Sequence, residues 1–160
     1  MVKLPPWLVR LLHPLVHAAH RAMAAIWFAT RPATTGVHAI PIDEQGRLIL
    51  VRLSYAKGWR LPGGGVGAGE DRTAAVLREL REEIGMTAHG RVAAIGDFEH
   101  RPDFRRDSAT LFLVEGVRHR FRPSLEVAEA RAFPRHALPA DLPPVTRRLL
   151  ALWSAGPPID

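Results

Sequence analysis

The stretch LPGGGVGAGEDRTAAVLRELREEIGM, residues 61–86, sets five of the chain's thirteen glycines within seven positions and follows them with five acidic side chains. From Asp71 to Ile84 it holds no glycine or proline and is rich in Ala, Leu, Arg and Glu, which predicts a helix. Glu70 and Asp71 stand where acidic groups favour the positive end of the helix dipole, and Gly85 stands where a C-cap is expected. At about 100° per residue, Glu79, Glu82 and Glu83 fall in one sector, with Ala74, Leu77, Leu80 and Ile84 on the far side. One face is therefore expected to anchor the helix and the other to present three carboxylates.

Three like charges that close repel one another and raise one another's pKa, so a cation must offset them. Arg78, one turn from Glu82, can pair with one carboxylate but cannot neutralise three. Hard divalent cations bind carboxylate oxygens, and Mg²⁺ takes a few carboxylates together with waters and substrate phosphates. A magnesium or manganese site is the economical reading. The glycines supply the other half: Pro62 fixes the approach, and Gly63, Gly64 and Gly65 permit close approaches that side chains would forbid. Such a loop ahead of a helix can offer amides to phosphate or a carbonyl to a metal. Taken singly, a tight turn and a solvated, charge-laced helix would explain either half.

Taken together, the segment resembles the Nudix hydrolase signature, G-x5-E-x7-R-E-U-x-E-E-x-G-U with U a bulky aliphatic. Here it reads Gly64, Glu70, Arg78-Glu79-Leu80, Glu82-Glu83 and Gly85-Met86, with no departure. Seven fixed residue types at fixed spacing would arise by chance on the order of once in ten million windows or less. The resemblance implies an α/β fold, an α/β/α sandwich around a mixed sheet, extending over roughly residues 36 to 155. It also implies hydrolysis of a nucleoside diphosphate linked to another moiety, a small nucleotide substrate being favoured over an RNA cap. Glu79, Glu82 and Glu83 would bind one to three Mg²⁺ or Mn²⁺ ions, one of them helping to activate water, with the carbonyl of Gly63 joining them. Arg78 would orient a glutamate, and Glu70 would hold Arg78 or a metal-bound water.

A further acidic ligand or base is expected from a later loop or strand, with Glu126 and Glu129 as candidates and Glu99 behind them. Arg101, Arg105 and Arg106 are candidates to steer or grip phosphate. For each of these residues a plain exposed role is the alternative. Pro102, sixteen positions after Met86, tilts the substrate towards ADP-ribose. A fold-keeping binding or regulatory module without turnover is the competing function; it would be favoured by loss of a signature glutamate, and none is lost.

Outward from this segment, Gly36–Ile42 and Arg47–Leu53 read as strands of a hairpin around the turn Asp43–Gly46. Arg91–Phe98, Thr110–Val117 and Val127–Phe133 read as further strands, and Asp141–Trp153 as a closing helix with Val145, Leu149, Leu150 and Trp153 on one side. With 160 residues, 47% of them hydrophobic, the chain suits one domain with a real core. It has no cysteine, which excludes disulfides, zinc–thiolate sites, iron–sulfur clusters and cysteine nucleophiles, and makes the reducing cytoplasm the default location. Its net charge of +6 is carried almost wholly by arginine, suited to a phosphate-bearing partner, although solubility accounts for the same charge.

Residues 1–30 are expected to form a separate amphipathic helix ahead of a domain at 31–160. Leu8, Leu11, Leu12, Leu15, Ala19, Ala22, Met23 and Ile26 lie opposite Arg10, His13, His17, His20 and Arg21. Those charges disfavour a membrane span. The helix is expected to pack within the protein, with pairing in a homodimer or contact with a membrane surface as alternatives. The histidine spacing could hold a metal, but no carboxylate stands nearby and a solvated face is the simpler reading.

Overall fold

The computed structural model describes residues 18–19, 33–100 and 106–155. Apart from Ala18 and Ala19, the expected N-terminal helix lies outside the described residues, as do Arg101, Pro102 and Arg105. From Ala33 on, the described residues form seven strands and two helices in the order β1 (Ala33–Asp43), β2 (Leu48–Leu53), β3 (Gly63–Gly65), α1 (Arg72–Ile84), β4 (Met86–Ala88), β5 (Val92–His100), β6 (Arg106–His119), β7 (Val127–Phe133) and α2 (Pro144–Ala155).

The five expected strands, and the two of the three expected helices that fall within the described residues, are present with shifted ends. β6 runs several residues beyond the expected Thr110–Val117 at both ends, because it is the spine of the sheet. It pairs along one edge with β1 in parallel, and along the other with β5 and then β4, both antiparallel. β1 divides its own second edge between β3 and β2, both antiparallel, and β2 pairs onward to β7. The sheet is thus mixed. α2 begins three residues later than expected, since Leu142 is followed by Pro143 and Pro144. Proline fits the first helical position, where its missing N–H has no partner to lose, and Arg147 N donates to Pro143 O at 3.1 Å. β3 and β4 were not expected; each is three residues long and held by long-range pairing rather than local pattern.

Both faces of the central strands are buried, so their sequences are nearly continuous apolar runs rather than alternations. The period of two is visible in where the side chains go. Val37, Ala39, Ile49, Val51, Phe112 and Val114 join the layer that contains Ala75, Val76, Leu80 and Ile84 of α1. Ile40, Ile42, Leu48, Leu50, Leu111 and Leu113 join the layer that contains Leu149 and Leu150 of α2. A helix therefore covers each face, which makes the α/β/α sandwich.

Candidate active site

α1 is set locally. Asp71 is its N-cap, in extended conformation with Oδ1 accepting from Ala74 N at 3.0 Å. Gly85 ends it with φ 67°, a left-handed torsion that glycine adopts without strain. The approach is tight as well: a Cβ on Gly85 would lie 2.4 Å from Arg120 O.

Packing turns the helix differently from the expected two-faced arrangement. Ala74 is exposed and Leu77 half-buried, while Ala75, Val76, Leu80, Glu83 and Ile84 are buried. Around the helix Glu83 lies about 20° from Val76, so it sits in the middle of the arc that enters the protein. The three glutamates consequently differ: Glu83 is only 8% exposed, the Glu79 side chain 14%, and that of Glu82 48%.

The glycine segment meets this helix as a strand. Gly63, Gly64 and Gly65 pair with His38, Val37 and Gly36 of β1, and the ends are tied by Ala39 N to Pro62 O and Val66 N to Thr35 O, both 2.9 Å. Two glycines are dictated by what they touch. A Cβ on Gly63 would lie 2.2 Å from Val37 O, and one on Gly64 would lie 2.5 Å from Glu79 Oε1. The Gly63 N–H donates to Glu83 Oε2 at 2.8 Å. The amide that sequence reasoning offered to phosphate is thus used to hold a glutamate.

Arg78 is the organising cation. Its Nε and Nη2 donate to the two oxygens of Glu70 at 2.9 and 3.0 Å, its Nη1 to Glu79 at 2.8 Å and Glu82 at 3.3 Å, and its Nη2 also to Gly65 O at 2.9 Å. Glu70 Oε2 accepts in addition from Gly67 N at 2.8 Å. Arg78 first, then that amide, holds the Glu70 carboxyl down to about 2. Glu79 and Glu83 are shifted the other way. Burial is the main cause for both, and the neighbouring charges of Glu82 and Glu126 add to it; Arg78 opposes the shift at Glu79 and the Gly63 amide opposes it at Glu83.

Of the later acidic candidates, the structure brings Glu126 to the cluster. It lines a cavity of about 120 Å³ together with Gly63 and Glu83, and its Oε1 accepts from Tyr55 Oη at 3.0 Å. The backbone fixes it there, Ser54 N donating to Glu126 O at 2.7 Å. Glu129 does not line the cavity. A bulge in the β2–β7 pairing between Arg52 and Leu53 sets it opposite Arg52, which donates to it at 3.1 Å. Glu99 is exposed on β5, paired with Ser108 of β6. Arg106 opens β6. Sequence reasoning missed Tyr55, Arg60 and Thr146, which also line the cavity. No local pattern marks them, since Tyr55 and Arg60 come from the connection between β2 and β3 and Thr146 from α2, and only tertiary packing brings them together.

Among the described residues, no three acidic or imidazole side chains stand as a ready-made metal cage. The donor set nevertheless fits a hard divalent cation. Arg78 engages one oxygen of Glu79 and one of Glu82, and the Gly63 amide one oxygen of Glu83, leaving on each a second oxygen that no protein donor contacts among the described residues. Mg²⁺ asks for only a few carboxylates and keeps its waters, and like charges crowded at low exposure are what such a cation relieves.

Fold and site together define an α/β protein in which a glycine strand and a carboxylate-bearing helix converge beside one small cavity. The family model described as the NUDIX domain matches residues 32–153, and the chain belongs to the Nudix family. Among its relatives is an RNA pyrophosphohydrolase of Acidiphilium cryptum, 38% identical over 96 residues, which cover 56% of this chain and 55% of that one. Another is an ADP-ribose pyrophosphatase of Mycobacterium tuberculosis, 32% identical over 99 residues, covering 59% and 47%. The chain thus spans about half the length of these relatives. Among solved structures, a MutT NUDIX hydrolase from Burkholderia pseudomallei superposes with a TM-score of 0.65 at 27% identity, covering 75% of this chain and 97% of that one.

Proposed function

We propose that the protein is a divalent-metal-dependent hydrolase that cleaves the phosphoanhydride linkage of a nucleoside diphosphate derivative. The observation that carries the reading is the convergence of Glu79, Glu82, Glu83 and Glu126 on one another, with Arg78 able to compensate only some of them. The names of the two relatives, one acting on RNA and one on ADP-ribose, fit a pyrophosphate bond as the common target.

Glu79, Glu82 and Glu83 are the residues that would hold the cation, with the backbone of Gly63 beside them. Bound there, Mg²⁺ or Mn²⁺ would supply positive charge against the pyrophosphate oxygens and lower the pKa of the attacking water. Arg78 restrains Glu79 and Glu82, and Glu70 restrains Arg78, so the oxygens are set before substrate arrives. Glu83 and Glu126 share the cavity wall, and one of them takes the proton as the water oxygen bonds to phosphorus and the P–O anhydride bond breaks.

The test is a screen of ADP-ribose, nucleoside triphosphates, dinucleoside polyphosphates and capped RNA with Mg²⁺, comparing the wild type with Glu82→Gln and Glu83→Gln. Cleavage of at least one substrate by the wild type, and its loss in the variants, is expected. A wild type inert on all of them, or variants with undiminished rates, would refute the reading.

A further inference from the structure

The cavity beside Glu83 and Glu126, at about 120 Å³, is smaller than the roughly 300–1,000 Å³ in which small ligands are usually held. It has room for a phosphoryl group and its counter-ions but not for a nucleotide. A second, open cleft of about 610 Å³ is lined by Arg52, Lys57, Gly58, Asp141 and Pro143 among others. Arg60 is the residue that the two walls have in common. It is placed there by pairing across to Val51, with N–H···O bonds of 2.8 and 2.9 Å in both directions.

The three cations of the cleft are committed differently. Arg52 donates to Glu129 at 3.1 Å and to Asp141 at 3.4 Å, and its guanidinium lies 4.6 Å from the centre of the Trp59 ring. It is a structural arginine. Arg60 and Lys57 have no carboxylate at ion-pair distance among the described residues; Arg60 Nε, like Arg52 Nε, is buried without a hydrogen-bond partner there, but the terminal nitrogens of Arg52 are engaged by Glu129 and Asp141. A buried donor left unmade is costly, and a guanidinium presents the planar fork that matches phosphate oxygens.

We infer that Arg60 grips the pyrophosphate of the substrate where it passes from the carboxylate cavity to the open cleft, and that the cleft, with Lys57 on its wall, favours a distal moiety carrying further negative charge. The substrate class is then a nucleoside triphosphate in preference to a nucleoside diphosphate joined to a neutral sugar. The inference rests on the hydrolase reading for its chemistry, but Arg60 and Lys57 lie outside the signature segment and act on binding. Arg60 contributes to either substrate through the shared pyrophosphate. Lys57 is exposed, so it discriminates by a smaller factor and only where the distal group is charged.

The measurement is equilibrium binding by calorimetry of α,β-methylene-ATP and of α,β-methylene ADP-ribose to the full chain with Mg²⁺, alongside kcat and KM for ATP and ADP-ribose. Arg60→Gln is expected to weaken both analogues at least tenfold and to raise KM far more than it lowers kcat. Arg60→Lys, which keeps the charge and loses the fork, is expected to recover part of that loss, which a merely misfolded Arg60→Gln would not predict. Lys57→Gln is expected to weaken the ATP analogue about threefold and leave the ADP-ribose analogue unchanged. Wild-type affinity in Arg60→Gln, or an equal effect of Lys57→Gln on both analogues, would overturn the inference. A wild type that binds the analogues through Arg60 but cleaves nothing would sink the hydrolase reading while supporting this one.

Discussion

Asp43 and Glu83 are the two buried carboxylates among the described residues, 6% and 8% exposed, and their surroundings are opposite. At the β1–β2 turn, Asp43 accepts from Gln45 N at 3.0 Å and Arg47 N at 2.8 Å through Oδ1, and from Arg47 Nε at 2.7 Å through Oδ2. Both oxygens are filled, one by a cation, and the turn is complete in itself. Glu83 receives one amide, from Gly63, and faces the charges of Glu126, Glu79 and Glu82. Burying a charge with so little compensation works against folding. A carboxylate whose needs the protein meets is a structural part, whereas one left short is waiting for a partner from outside.

Exchanging charge for a neutral amide at each site should separate the two roles. Glu83→Gln is expected to lower turnover by roughly 10²–10⁴-fold, measured as kcat on whichever substrate the screen yields, while the urea midpoint of the metal-free protein stays the same or rises. A large loss of stability with turnover intact would reverse the assignment. Asp43→Asn should do the converse, costing roughly 1–3 kcal/mol in urea unfolding, with kcat of the folded protein unchanged.

Gly64→Ala sharpens the comparison from the backbone side, because the new Cβ would lie 2.5 Å from Glu79 Oε1. Displacing one proposed ligand is expected to cost roughly 10–100-fold in Mn²⁺ affinity, read by titration of the bound ion, and wild-type affinity would show that Glu79 has no need of that position. The smallest effect should come from pH. Glu70 is held at about 2 against an ordinary 4.5. Between those values the unfolded chain binds more protons, so this stabilisation is present above about pH 4.5 and is lost as pH falls towards 2. Glu70→Gln should remove that part of the stability profile. Glu83 carries the opposite sign: its raised pKa makes stability decline as pH rises from about 4.5 through its folded value, and Glu83→Gln should flatten that slope.

Much of this was legible in the chain before folding. The helix, its Gly85 C-cap and the spacing of Glu79, Glu82 and Glu83 depend on torsions and contacts within a turn or two, whereas Asp71, expected as the first helical residue, caps a helix that starts at Arg72. The strands of the core were legible because their apolar runs are bounded by turn residues. What misled was the assumption that a carboxylate face and an anchoring face must be separate. Glu83 lies among the buried residues because β3 crosses close enough to hand it an amide, a contact between residues twenty positions apart. Likewise Glu126 and Glu129 were indistinguishable as letters, and the bulge opposite Arg52 and Leu53 is what sent one to the cavity and the other to an ion pair.

The sequence by itself determined the family signature, the helix that bears it and the crowding of three glutamates within two turns of it, since short-range geometry follows from spacing alone. Only the tertiary structure decided which glutamate is buried, that the glycines run as a strand against β1, and that Tyr55, Arg60 and Glu126 join the site. Those facts depend on strand register across the sheet, and register is set by packing on both of its faces at once, which no local stretch encodes.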